Sequence, residues 1–186
     1  SYANPTHEQA LAQMAREEFP GLAVSLSSEV CPEWREFERF STTTINAYTQ
    51  PMFDEYLGRL EIGLNNSGFI GQFFVMSSSG GTLTPETARR FPVRVIESGP
   101  AAGVQMSAFH GRELDLGPVL SFDMGGTTAK GALIRDGRAI KEYHQEVARV
   151  HGFKAGSGLP VKAPVIDMIE IGAVSYTHLR AHETRE

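Results

Sequence analysis

A short polar turn between two apolar runs carries the residues best suited to chemistry. The run over residues 119–122 predicts a buried strand, and the run over 132–134 predicts the strand that returns. Glycine amides can approach an anion closely because no Cβ intervenes, and threonine hydroxyls add hydrogen bonds to phosphate oxygens. A carboxylate at a strand end suits Mg²⁺, which binds hard oxygens and keeps much of its water. The residues concerned are Asp123, Gly125, Gly126, Thr127 and Thr128.

We interpret this turn as a hairpin that binds the phosphates of a nucleotide. Asp123 would be the magnesium ligand or the catalytic group. The alternative is an ordinary β-turn, since Gly-Gly pairs are common in turns. Neither a Gly-Lys-Ser/Thr phosphate loop nor a GxGxxG pattern is present in the sequence. Lys130 shares a strand face with Thr128 and could reach a phosphate or point to solvent.

A second candidate anion site lies at a predicted helix start. Residues 98–109 fit a helix with Ser98 as its N-cap, followed by Gly99. Because helix N-termini carry partial positive charge, the amides of these two residues could face a phosphate. The alternative is a plain cap with close packing of small residues.

Two further groups of polar residues are candidates for binding a substrate. Arg39 and Asn46 flank a predicted long helix and could recognise a polar cyclic amide, although a carboxylate beside Arg39 would more simply form an ion pair. The serine-glycine loop at 77–81, with Gly80 and Gly81, could hold a phosphate or carboxylate with its backbone amides, or be a flexible turn.

The amino-acid composition of the chain argues against some classes of function. The chain has 186 residues, a net charge of −5 and one cysteine. An acidic balance argues against a nucleic-acid binder, which usually carries a basic face. The single cysteine, Cys31, has no partner for an internal disulfide, so we expect a cytoplasmic location. The sequence has no apolar run of the ~20 residues that a membrane span needs.

Strand and helix patterns alternate along the chain and predict an α/β fold with a mixed sheet. Helices are expected near residues 5–18, 40–64 and 98–109, with the second broken or kinked at Pro51, and a further short helix is expected to open at Thr84. Strands are expected at 22–26, 69–76, 119–123, 132–134 and within 139–150.

The chain resembles the hydantoinase A / 5-oxoprolinase family, within the actin, sugar-kinase and heat-shock ATPase superfamily. The pieces that match stand in family order at residues 25–30, 35–39, 46–51, 78–81, 98–103, 123–128 and 166–173. The resemblance implies an incomplete actin-like (ribonuclease H-like) lobe that binds ATP and Mg²⁺. It also implies a cyclic amide substrate, such as a hydantoin or 5-oxoproline, and a hydantoinase B-type partner subunit or domain.

Two departures from the family pattern leave alternatives open. Ala129 and Lys130 stand where the family usually has Thr-Asp, which brings the chain closer to N-methylhydantoinase and to acetone or acetophenone carboxylase subunits. A non-catalytic nucleotide-binding module on the same fold is a third possibility. Residues 174–186 lack the expected glycine-rich loop and resemble a non-native tail. We therefore expect a partial domain over 1–173 that is inactive alone.

Overall fold

The computed structural model describes residues 2–126, 128–151 and 156–172. The described helices are α1 (Thr6–Glu18), α2 (Ser27–Val30), α3 (Glu36–Asn66), α4 (Pro85–Arg90), a 3-10 turn (Pro92–Arg94) and α5 (Ser98–Glu113). The described strands are β1 (Val75–Met76), β2 (Thr82–Leu83), β3 (Val119–Met124), β4 (Thr128–Arg135), β5 (Arg138–Ala139), β6 (Lys141–Glu142), β7 (Gln145–Val147), β8 (Leu159–Val161), β9 (Val165–Ile166) and β10 (Ile169–Gly172).

The central sheet has the order β10-β4-β3, and β5 pairs with the far end of β4. All pairings in it are antiparallel, with Met124 opposite Ala129 and Gly172 opposite Thr128. Three short antiparallel pairs, β1-β2, β6-β9 and β7-β8, surround it. The predicted combination of helices and strands is confirmed, but every described strand pair is antiparallel, whereas a mixed sheet was expected.

Helix α5 covers one face of the central sheet and forms the main core there. Side chains of α5 meet those of β4 and β9 in a buried apolar cluster of Ala101, Val104, Ala108, Ala132, Ile134 and Ile166. The hydroxyls of Ser107 on α5 and Ser121 on β3 lie 3.0 Å apart. Because side chains alternate along a strand, Asp123 lies on the same face as Ser121. The opposite face, with Leu120 and Phe122, is exposed.

Helix α3 organises the other half of the described chain. It contacts α2, α4, the 3-10 turn and β8. A second buried cluster, Val30, Val93, Val161 and Ala163, lies in this region. Thr42 of α3 is fully buried, and its hydroxyl accepts a hydrogen bond from the Lys162 amide at 2.9 Å. None of the described helices is long and apolar enough to cross a membrane.

Three predictions of secondary structure are wrong. Residues 22–26 form no strand, and no strand pairs with them within the described ranges. Of the strand predicted at 69–76, only Val75–Met76 is formed. Helix α3 runs through Pro51 without a break. Proline removes one helical hydrogen bond, and the packing of α3 on several neighbours outweighs that local loss.

The first helix is tied to α2 by a carboxylate, which makes stability depend on pH. Glu8 accepts hydrogen bonds from the Ser27 hydroxyl at 2.7 Å and from the Ser28 amide at 2.9 Å. Burial raises the pKa of Glu8, but these hydrogen bonds outweigh it and lower the pKa from 4.5 to about 2. A lowered pKa adds stability above pH 4.5 that is lost as pH falls towards 2.

We therefore expect Glu8→Gln to flatten the pH dependence of stability between pH 4.5 and 2. Urea denaturation at several pH values measures this. Glu18→Gln, an exposed change on the same helix, should leave the wild-type slope intact. An unchanged slope in Glu8→Gln would contradict the assignment.

Candidate phosphate-binding site

The predicted glycine hairpin is present between β3 and β4. The Gly125 amide donates to the Thr128 carbonyl at 2.9 Å, which closes the turn directly after the pair Met124–Ala129. Asp123, Gly125 and Gly126 are exposed. Thr127, a predicted phosphate ligand, lies outside the described residues. The turn therefore presents a carboxylate and an exposed glycine at one end of the sheet.

The structure corrects one detail of this hairpin. Gly125 was expected to donate its amide to a phosphate, but that amide is already bound to Thr128. The Gly125 amide therefore closes the turn. Gly126, and Thr128 at the start of β4, remain the described candidates for phosphate contacts.

The N-terminus of α5 lies next to this hairpin. Lys130 of β4 reaches Glu97, the residue before α5, with 2.9 Å between Nζ and Oε1. Glu97 occupies the N-cap position with a left-handed backbone (φ 63°), and its side chain makes no capping hydrogen bond. Ser98, predicted as the N-cap, is instead the first helical residue, and its amide donates to the Val95 carbonyl. The Ser98 amide is therefore already bound and not free for the phosphate that the sequence assigned to it, and the Lys130–Glu97 contact ties the start of α5, where Gly99 is the next residue, to strand β4 of the hairpin.

Charged residues form a row across the three central strands. Lys130 stands opposite Asp123 on β3 and opposite Glu170 on β10, so the three side chains share one face of the sheet. Lys130 Nζ lies 3.7 Å from Glu170 Oε1. Its side chain is only 12% exposed, so it neither points to solvent nor stands free to bind a phosphate. Sequence reasoning placed Lys130 on the correct face but missed both of its acidic partners.

A cavity of about 520 Å³ adjoins this row of charges. Both partners of Lys130, Glu97 and Glu170, belong to its wall. The other polar residues of the wall are Glu142, His144, Gln145, Glu146, Arg149 and Asp167. The cavity is large enough for a small ring compound, and it lies on the α5 side of the sheet, as Asp123 does.

The described residues fit a magnesium ion that arrives with a nucleotide. No group of three or more histidine, cysteine, aspartate or glutamate side chains within the described ranges could hold a metal. Asp123 is a single exposed carboxylate and forms no ion pair with other described residues. Mg²⁺ is commonly bound by one or two carboxylates together with water and substrate phosphates. Asp123 would hold such an ion.

The structure gives Asn46 a role in the fold, which corrects its assignment to a substrate site. Its side chain is fully buried, and its amide nitrogen donates to the Ser25 hydroxyl and the Arg90 carbonyl, both at 3.0 Å. Its oxygen accepts from the Val93 amide at 3.3 Å. These contacts leave Asn46 no accessible surface for a ligand.

Arg39 is also largely enclosed. It is 7% exposed, donates to the Glu33 carbonyl at 3.0 Å and lies against the ring of Phe40. Its Nε is buried without a hydrogen-bond partner. Among the described residues, Arg39 and Asn46 share no hydrogen-bond partner, so they do not form the joint recognition site that the sequence suggested.

The backbone amides of the serine-glycine loop donate hydrogen bonds within the loop or to a neighbouring segment. The amides of Ser77, Gly80 and Gly81 donate within the loop, and the Ser78 amide donates to the Arg94 carbonyl. Gly80 has φ +81° and faces Gln105, which explains the need for glycine. These amides do not converge on an anion, so a phosphate or carboxylate cradle at Gly80 and Gly81 is not formed here.

Cys31 lies outside the candidate site. It is buried, and burial together with the charge of Glu33 raises the pKa of its thiol. A raised pKa keeps the less reactive thiol form. Its position fits packing better than catalysis.

Comparison with known proteins gives the relationship of the chain. The sequence profile described as hydantoinase/oxoprolinase matches residues 39–186. An uncharacterized protein of Methanocaldococcus jannaschii is 42% identical over 93% of this chain and 26% of its own length. The caprolactamase subunit alpha of Pseudomonas jessenii is 33% identical over 74% of this chain and 20% of its own length. The chain thus spans about a quarter or less of these relatives.

Solved structures agree with the sequence comparison. The crystal structure of the ATP-dependent caprolactamase superposes with a TM-score of 0.77 and 28% identity, covering 92% of this chain and 24% of that one. The nucleotide-free structure of acetone carboxylase superposes with a TM-score of 0.76 and 25% sequence identity, and the match covers 93% of this chain and 23% of that one. The predicted fold class, part of an actin-like ATPase lobe, is confirmed. The chain belongs to the hydantoinase/oxoprolinase family.

Proposed function

We propose that this chain is the phosphate-binding part of an ATP-dependent enzyme that opens cyclic amides. The observation that carries the proposal is the meeting of the glycine hairpin with the N-terminus of α5, beside the exposed carboxylate of Asp123. A glycine turn and a helix N-terminus both suit phosphate groups. Membership in a family with ATP-dependent relatives supports ATP as the ligand.

In this mechanism the chain holds ATP and orients its terminal phosphate. Gly126 and Thr128 would contact phosphate oxygens, and Asp123 would hold Mg²⁺, which offsets charge on the transferred group. The amide oxygen of the ring attacks the γ-phosphorus and ADP leaves. Water then adds to the activated ring carbon, and the C–N bond breaks as the ring nitrogen leaves with a proton. A second water hydrolyses the resulting acyl phosphate, which releases phosphate and gives the open amino acid. The cavity beside Glu97 and Glu170 is the space proposed for the ring.

The complete activity requires parts beyond this chain, since it spans about a quarter of its relatives. One relative is itself named a subunit, the caprolactamase subunit alpha. We therefore propose a hydantoinase B-type partner subunit or domain that completes the second step. The predicted tail, 174–186, lies outside the described residues and stays a prediction.

An ATP-dependent ketone carboxylase is the second candidate, and the likeness to acetone carboxylase favours it. Both candidates use ATP, but they differ in the second substrate. The test is ADP release by the full-length enzyme with its partner subunit. Separate reactions contain 5-oxoproline, hydantoin, caprolactam, or acetone together with bicarbonate. Stimulation by a cyclic amide supports the proposal. Stimulation only by ketone with bicarbonate would replace it with the carboxylase, and ATP binding without stimulation would favour a nucleotide-binding module.

A further inference from the structure

We infer that Lys130 is a positioning residue of the proposed phosphate site. It neutralises the carboxylates of Glu97 and Glu170, so that a polyphosphate can bind beside them. This inference rests on the proposed function, because it concerns the same ATP site. It assigns a role to a side chain that the mechanism above does not use.

Carboxylates outnumber ammonium groups in the row of charges beside the hairpin. Asp123 on β3 and Glu170 on β10 flank Lys130 in the register of the sheet, and Glu97 approaches it from α5. Lys130 therefore forms ion pairs with two carboxylates, those of Glu97 and Glu170, while the carboxylate of Asp123 opposite it has no ion pair with a described residue. A nucleotide phosphate that enters at the hairpin would be repelled by each carboxylate that lacks a counter-ion.

Lys130 is more deeply buried than either of its acidic partners. Its side chain is 12% exposed, whereas those of Glu97 and Glu170 are 36% and 45% exposed. The side chain of Lys130 is thus largely buried, and the more exposed side chains of Glu97 and Glu170 extend towards it. Electrostatic interactions are stronger at such a partly enclosed position than in water, because the surroundings screen them less.

The backbone at Glu97 has an unusual conformation. This residue has φ +63° at the start of α5, a conformation that is uncommon for side chains other than those of glycine, asparagine and aspartate. A carboxylate just before a helix N-terminus would normally stabilise the helix dipole. Here it is directed to Lys130 at 2.9 Å, which holds its charge away from an incoming phosphate.

The test is the dissociation constant of MgATP for the full-length enzyme, measured by isothermal titration calorimetry. Lys130→Met should raise it about tenfold, the effect of one unit charge at roughly 8 Å with an effective dielectric constant of about 30. Glu97→Gln should lower it by a similar factor, because the substitution removes one of the negative charges that neutralise the lysine. The double variant should return close to the wild-type value.

Two further variants separate this electrostatic role from a structural one. Lys130→Arg keeps the charge and should bind MgATP within about twofold of wild type. Lys141→Met is the matched control, since it removes an exposed lysine on β6 outside the row of charges. The differences should shrink at high salt because salt screens charges.

The outcomes distinguish this inference from the proposed function. A wild-type enzyme that binds no MgATP would overturn both. A wild-type enzyme that binds MgATP, with Lys130→Met equal to it or Glu97→Gln weaker than it, would overturn only the role of Lys130. A purely structural ion pair predicts weaker binding from both single changes, so the opposite signs are decisive.

Discussion

Replacing Asp123 with asparagine is expected to lower the kcat of the full-length enzyme about 100- to 1000-fold. The substitution keeps the size of the side chain but removes the charge that would hold Mg²⁺. Asp123 is exposed and forms no ion pair with other described residues, so the folding free energy should change by less than about 0.5 kcal/mol. Steady-state ADP release at several Mg²⁺ concentrations, together with a thermal melt, measures both effects.

A matched control for Asp123→Asn lies at the other end of β4. Asp136 occupies the turn before β5 with φ +50°, a conformation that asparagine also accepts. Asp136→Asn makes the same chemical change away from the hairpin and should leave kcat intact. Equal kcat values for Asp123→Asn and wild type would remove Asp123 from the catalytic site.

Asn46→Ala is expected to destabilise the fold by about 3 kcal/mol. The change removes two donated hydrogen bonds and one accepted hydrogen bond. It leaves the Val93 amide and the Arg90 carbonyl without this partner at a fully enclosed position. These groups join α3 to the segment between α4 and the 3-10 turn, so their loss loosens two elements at once. The midpoint of thermal unfolding should fall by roughly 6–12 °C.

The same variant decides between the two roles of Asn46. Asn66→Ala, an exposed change at the end of α3, serves as the control and should alter the melting temperature little. Urea denaturation of wild type and both variants measures the free energies of unfolding. A stable Asn46→Ala protein with a raised KM for the cyclic amide would contradict the structural role and restore the substrate assignment.

The phosphate hairpin could be predicted because its signals are local. Apolar runs that end at Asp123, followed by two glycines, define strands and turn within a short window. The register then follows from the turn, and it brings Lys130 opposite Asp123. The helix after Glu97 was also visible from its small residues, although its first residue was misplaced by one position.

The partners of the polar residues could not be predicted, because they come from distant parts of the chain. Asn46 meets Arg90 and Val93 only after α4 folds back on α3. Lys130 meets Glu97 only when α5 packs on the central sheet. From the sequence alone, a polar residue is equally suited to bind a ligand or to form hydrogen bonds and ion pairs within the folded chain. Tertiary packing decides which role it takes.

The most direct test of the account is the binding of MgATP at the glycine hairpin. The measurement is isothermal titration calorimetry of MgATP into the full-length enzyme and its Gly126→Val variant. A β-branched side chain at this exposed position would occupy the space through which a phosphate reaches the backbone. We expect one MgATP-binding site in the wild type and a loss of affinity of roughly 100-fold or more in the Gly126→Val variant. Equal affinity in the two proteins would show that ATP binds elsewhere and would contradict the central claim.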